Sequence, residues 1–343
     1  MEEGKCVSAA VRGLAPPTYE AVRRKVLELF REPVPLAKGV RKKGMVKNLI
    51  KIDRIYTYIN SQVFSKVRML PKPQDLHEFY IEVLKLSGID DYADLLGRFA
   101  GYERVLRRLW RSYRLRVKTT LTAREANDVA REFVGRALSV LRRLRKDLEV
   151  LRKAVIELSR VPCFNPEEPM VIVAGMPQVG KSTLVRRVST AEPEVSPFPF
   201  TTKNVILGHL TVDHLRVQIL DTPGILDRPL SELNEIERRA VSAIRFLGDM
   251  LVFLIDPRRE SYYPLESQVG LLRTVRAIFR GRDFVVAVNK VDAVDEGRLK
   301  EVIEALRKVY DGEVLLLSAL QGVGVDKLLQ RIRAVVRARY GLA

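Results

Sequence analysis

Residues 170–182 read MVIVAGMPQVGKS: five apolar residues, then Gly175, four intervening residues and Gly180-Lys181-Ser182. An unbroken apolar run suits a strand buried on both faces, and such strands occur where helices cover a parallel sheet. The G-x-x-x-x-G-K-S spacing then turns strand into helix through a loop whose backbone amides converge on one point, a cradle for phosphate. In that arrangement the loop residues Gly175, Pro177, Gln178, Val179, Gly180, Lys181, Ser182 and Thr183 line the phosphates. Lys181 reaches the β and γ phosphates, and the Ser182 hydroxyl is a ligand for Mg²⁺.

Further signals follow at the ends of other apolar runs. Asp221-Thr-Pro-Gly224 closes RVQIL, which puts a carboxylate near the metal and the Gly224 amide near a γ phosphate. Asn289-Lys290-Val291-Asp292 closes FVVAV. A carboxylate such as Asp292 can accept from both N1–H and the 2-amino group of guanine, a donor pair adenine lacks, so the expected ligands are GTP and GDP. Ser318-Ala319-Leu320 after EVLLL would offer a backbone amide to the guanine carbonyl. Between the first two motifs lies PEVSPFPFTTKN, a candidate switch loop that orders around the γ phosphate. Thr202 is the preferred metal ligand there and Thr201 the alternative, with Phe200 and Ile225 as switch residues; Lys181, Thr202 and Gly224 are the expected catalytic groups.

The rest of the chain fits around this frame. MVIVA, VILGHL, RVQIL, MLVFLI, FVVAV and EVLLLS are six candidate strands separated mostly by amphipathic helices, which predicts a mostly parallel six-stranded sheet with helices on both faces. With 343 residues, two domains are expected. The residues before 166 read as an all-α helical bundle, so the expected domains are 1–165 and 166–343. A seam of Ala126, Ala130, Phe133, Ala137, Leu141, Leu144, Leu148, Leu151, Val155 and Leu158 predicts one long helix after Thr122, lasting to about Arg160. VPCFNPEEP, with three prolines, ends it.

Charge divides unevenly between the halves: of the net +18, residues 1–169 carry +14. A field of that sign concentrates polyanions. ERVLRRLWRSYRLRVK is the strongest candidate for RNA contact, with Arg104, Arg107, Arg108, Arg111, Arg114, Arg116 and Lys118 around Trp110 and Tyr113. Arginine forks suit phosphate, and exposed rings stack on bases. The competing reading makes these charges solvated helix faces, with both aromatics in the bundle core. The two cysteines and three histidines show no metal-ligand spacing and read as structural or incidental. No apolar run reaches the ~20 residues of a membrane span, and MEEGKCVSAA is unlike a signal peptide. A cytoplasmic monomer without membrane insertion is the expectation.

GMPQVGKSTLVRRVSTAEPEVSPFPFTTKNVILGH, DTPGILDRPLSELNEIERRA and NKVD together resemble the Nog-type nucleolar GTP-binding protein family and its archaeal relatives, among the Obg-related GTPases. The resemblance implies a GTPase that associates with the assembling large ribosomal subunit or its precursor rRNA. It also bears on Ile225, which stands where Ras-like enzymes have a water-orienting glutamine. Apolar residues are common there in the family, so water must be oriented by switch-loop atoms, a bound potassium ion or a group from a partner. Cation-activated members use an asparagine three residues before the phosphate-loop lysine; here that position is Gln178, one methylene longer. The chain stops soon after VGVDKLLQRIRAVVRARYGLA, so the long carboxy-terminal extension of nucleolar relatives is not expected. Two other readings remain open at this point: a GTP-dependent binding module with negligible hydrolysis, favoured by Ile225, and a targeting GTPase of signal-recognition-particle type. The latter usually carries T-K-x-D and D-T-A-G rather than NKVD and DTPG.

Overall fold

A computed structural model describes residues 6–197, 204–222, 226–227, 241 and 244–341. The chain forms two compact units, and each is described by itself. One comprises Ala9–Leu76 and Leu84–Ser159; the other comprises Met1–Ser8, His77–Val83 and Arg160–Ala343. The amino-terminal end and a short segment within the helical half therefore belong with the sheet-containing unit, an assignment with no local sequence signal.

The described helices before the sheet are α1 (Val7–Val11), α2 (Tyr19–Arg31), α3 (Lys43–Ile59), α4 (Lys66–Arg68), α5 (Glu78–Leu86), α6 (Tyr92–Lys118), α7 (Ala123–Arg143) and α8 (Arg145–Arg160). A π turn over Asn60–Ser65 joins α3 to α4. The Thr122 side chain accepts from the Glu125 amide and starts α7, while the Glu125 carboxylate accepts from the Leu121 amide. The predicted long helix is thus two: at Leu144 the ladder tightens, its amide donating to Leu141 only three residues back. The seam survives the break, because all ten of its residues are buried. Those on α7 pack against α3, which buries Ile52, Ile55 and Ile59, and against α6, which buries Leu95, Phe99, Leu106 and Val117. The spacing of four, seven and eleven within α6 keeps its apolar residues on the inward face.

The second unit contains β1 (Met170–Ala174), α9 (Lys181–Val188), β2 (Glu194–Pro197), β3 (Asn204–Val212), β4 (Leu215–Asp221), β5 (Met250–Ile255), α10 (Leu265–Ile278), β6 (Asp283–Val288), α11 (Glu296–Arg307), β7 (Val314–Leu316) and α12 (Val325–Tyr340). The sheet order is β2-β3-β4-β1-β5-β6-β7. Pairing is parallel from β4 through β7, and only the β2–β3 and β3–β4 pairs are antiparallel. Among the described residues seven strands stand where six were expected; the addition, β2, has four residues and a proline, too little for a periodic signal. β1 and β5 are buried along their whole length, as helices on both faces require. Parallel pairing brings the carboxyl ends of β1, β5, β6 and β7 to one edge, where ligands bind in open α/β sheets.

Cys6 and Cys163, read from the sequence as structural or incidental, form a disulfide within this unit, with Cα atoms 5.4 Å apart. The next residue, Phe164, stacks on Tyr80 at 5.4 Å between centroids and meets Phe79 edge-on at 5.2 Å. Segment 77–83 is held by that aromatic cluster.

Candidate functional site

At the end of β1 the chain turns through Gly175 and reaches α9 through Gly180. Gly180 has φ of 103°, and a Cβ there would lie 2.3 Å from the Asn289 side-chain nitrogen. Gly175 has φ of 137°, and its Cβ would lie 2.6 Å from the Leu254 carbonyl oxygen of β5. Neither position admits a side chain, so both motif glycines are required by sterics as well as by dihedral angle. Gln178 adopts φ of 65°, an uncommon conformation for a residue other than glycine.

Lys181 is 6% exposed and curls into the loop it follows, its Nζ donating to the Gly175 and Met176 carbonyls at 2.9 and 3.0 Å. Burial pulls its pKa down, against the opposing attraction of Asp221 and Asp227. Asp221 ends β4 beside β1, in register with Val173. The Ser182 hydroxyl donates to Asp221 Oδ2, while Oδ1 is buried without a hydrogen-bond partner among the described residues. Burial raises the Asp221 pKa, opposed by that Ser182 bond and the nearby Lys181 charge. A hydroxyl meeting a buried carboxylate with an unused oxygen fits a hard divalent cation such as Mg²⁺. The donors therefore fit the metal that the motifs imply.

Asn289 ties the loops together. At 2% exposure, its Nδ2 donates to the Val179 carbonyl and its Oδ1 accepts from the Ala319 amide, both at 2.8 Å. The phosphate loop, the guanine-reading loop and the loop after β7 thus meet on one side chain. The Ala319 amide is thus engaged, whereas the adjacent Leu320 amide has no partner among the described residues and its side chain is 72% exposed. Asp292 is exposed in a short turn over Val291–Ala293, and only its Oδ2 is recorded accepting, from Gln321 Nε2 at 3.2 Å. Ser318 is fully buried and caps its own turn, its hydroxyl accepting from the Gln321 amide at 3.1 Å. Arg187, not singled out by motif, donates from Nε to the Ala319 carbonyl at 3.1 Å and from Nη2 to that of Leu320. Pro177 and Val179 lie in the loop, and Thr183 is exposed on the first turn of α9. Phe200, Thr201, Thr202, Gly224 and Ile225 lie outside the described residues.

In the helical unit, the basic stretch on α6 divides by role. Arg107 pairs with the buried Glu103 at 2.9 Å, Arg114 with Asp53 at 3.2 Å and Arg116 with Glu132 at 2.8 Å. Trp110 stacks on Tyr56 at 4.4 Å and donates to Asp53 at 2.7 Å; Tyr113 is buried and donates to Glu132 at 2.5 Å. Tyr113 therefore lies in the bundle core, as the second of the two readings above expects, while Trp110 is half-buried and packs on Tyr56. Arg104, Arg108, Arg111 and Lys118 are exposed and have no acidic partner among the described residues. Spacings of four, three and seven put them on one face, over ~21 Å of helix at 1.5 Å per residue.

Two family models match the chain. One, described as the NOG1 N-terminal helical domain, covers residues 35–165, and the other, described as 50S ribosome-binding GTPase, covers 170–290. A protein of Methanocaldococcus jannaschii without an assigned function is 34% identical over 251 residues, 73% of this chain and 70% of that protein. Nucleolar GTP-binding protein 1 of Drosophila melanogaster is 30% identical over 264 residues, 76% of this chain and 40% of that protein. The Caenorhabditis elegans protein of the same name is 30% identical over 302 residues, 84% of this chain and 44% of that protein. The chain thus spans less than half the length of these two animal relatives.

Proposed function

Since the chain belongs to the NOG1 family of nucleolar GTP-binding proteins, we propose that it binds and slowly hydrolyses GTP while associated with the large ribosomal subunit or its precursor rRNA. The observation that carries this reading is the convergence on Asn289, which joins phosphate loop and guanine loops across 110 and 30 residues of sequence. Guanine selectivity rests on Asp292 for the N1–H and 2-amino donors and on the Leu320 amide for the carbonyl. Lys181 exchanges its loop carbonyls for phosphate oxygens when nucleotide enters. Ser182 and Asp221 would hold Mg²⁺, which when bound neutralises charge on the phosphates. Ile225 cannot orient water; of the three sources named above, this reading takes a group that the partner supplies or orders.

On the helical unit the contact is assigned to the unpaired face of Arg104, Arg108, Arg111 and Lys118. Phosphate contact by such a face is electrostatic and sequence-independent. Replacing Arg104, Arg108 and Arg111 together by alanine should weaken binding to large-subunit rRNA and lower its salt slope by roughly 2–3, leaving the affinity for GDP unchanged. RNA binding equal to that of the unaltered protein across salt concentrations would overturn the assignment.

A further inference from the structure

Asp256 follows directly on β5 and is 1% exposed. A carboxylate closing an all-apolar strand, on the edge where other strand ends carry motifs, lies outside every motif recognised in the sequence. Its Oδ2 accepts from Lys290 Nζ at 2.7 Å. The same Nζ donates to the Gln178 carbonyl at 2.6 Å. The Lys290 side chain therefore spans two sites, a buried anion below and the phosphate loop above, at the one loop residue other than glycine with positive φ. Lys290 itself sits at φ of 59°, and Gly175 is the loop position that approaches β5 closely, against the Leu254 carbonyl.

The strand end is also fixed from the other side. Gln268 of α10, 1% exposed, accepts from the Asp256 amide at 2.8 Å and donates from Nε2 to the Asp256 and Tyr263 carbonyls at 3.0 Å each. Every polar atom of that side-chain amide is thus spent on holding the turn after β5. Arg258 occupies the rest of the carboxylate, its Nη2 reaching Oδ2 at 2.7 Å and its Nε and amide reaching Oδ1 at 3.0 and 3.1 Å. Burial alone would push the Asp256 pKa up, but the hydrogen bonds from Arg258 and Lys290 outweigh it and hold the group ionised. An anion that stays charged in so buried a place is a strong anchor for an ammonium.

We infer that Asp256, seated by Gln268, is a positioning residue for nucleotide binding: it holds Lys290 so that the guanine-reading loop supports the strained Gln178 backbone of the phosphate loop. The consequence is that base recognition and phosphate cradling are preorganised as one unit, with α10 as its support. The inference rests on the guanine-nucleotide reading above and deepens it.

The test is a titration of the full-length protein with a fluorescent GDP analogue in Mg²⁺, with a thermal melt of each variant. Asp256→Asn, which keeps the shape and removes the charge, should raise Kd by about 10- to 100-fold, the effect of one charge-assisted hydrogen bond. Lys290→Ala should do the same, and the double variant should bind no worse than Lys290→Ala alone, because Asp256 acts through that lysine. If the two losses instead add, or if Asp256→Asn binds as tightly as the unaltered protein, the inference is overturned. Should Asp256→Asn fail to fold, Gln268→Ala replaces it: a Kd increase that vanishes in the Lys290→Ala background supports the relay, and one that persists there refutes it. Absence of GDP binding by the unaltered protein removes the underlying reading and this inference with it, an outcome distinct from all the others.

Discussion

Replacing Asn289 by alanine removes both of its loop contacts at once. Its Nδ2 satisfies the Val179 carbonyl and its Oδ1 satisfies the Ala319 amide, each at 2.8 Å and out of contact with water. A buried polar group left unpaired costs about 1–3 kcal/mol, so two such groups cost about 2–6 kcal/mol. If that cost falls on the folded state, a sheet-containing unit of this size should melt at least ~4 °C lower, at about 2 °C per kcal/mol. If the loops relax into water instead, nucleotide must reorder them, and the lower bound corresponds to roughly 30-fold in Kd. Circular-dichroism melts and a GDP titration on the same preparation distinguish these routes. Asn289→Asp should be no milder: it keeps the acceptor for Ala319 but turns an oxygen toward the Val179 carbonyl. An alanine variant with native melting temperature and native Kd would refute the claim that this side chain joins the loops.

Three other outcomes are expected. Asp221→Asn should weaken Mg²⁺-dependent retention of nucleotide by about 10- to 100-fold while leaving affinity in EDTA little changed; equal loss in both conditions would speak against a metal role. His209 is lowered from 6.5 to about 4 by burial and by nearby Arg216. The unfolded chain therefore takes up the proton first, so stability should be complete above about pH 6.5 and fall as pH drops toward 4, a slope that His209→Gln should flatten in melts across that window. The Cys6–Cys163 disulfide closes a 157-residue separation, for which chain entropy gives up to about 5 kcal/mol and measured bridges about 2–4 kcal/mol. Dithiothreitol or Cys163→Ser should accordingly lower the melting temperature by several degrees, and identical melts with and without reductant would contradict the pairing.

What was legible in the sequence was what is local. Gly175, Gly180, Lys181 and Ser182 announce a strand, a loop and a helix because phosphate binding requires all three within a dozen residues. The seam from Ala126 to Leu158 announces its buried face, yet not the tightening at Leu144, since a break that preserves the phase of the seam leaves its periodicity intact. Pairings across long separations left no trace. Cys6 meets Cys163, the His77–Val83 segment joins the sheet-containing unit, and Trp110 stacks on Tyr56 rather than facing solvent. For the same reason Arg107, Arg114 and Arg116 read as part of one basic stripe, although the bundle spends them on Glu103, Asp53 and Glu132. Asp256 and Gln268 escaped because neither belongs to a motif; their importance lies in what they hold.

If the ribosome completes the water-orienting group that Ile225 lacks, GTP turnover depends on its presence. Steady-state GTP turnover by the purified protein, alone and with stoichiometric large ribosomal subunits, in potassium and in sodium, tests it most directly. Slow turnover alone and marked acceleration by subunits in either salt are expected. No turnover under any of these conditions would contradict this and leave a nucleotide-dependent binding module.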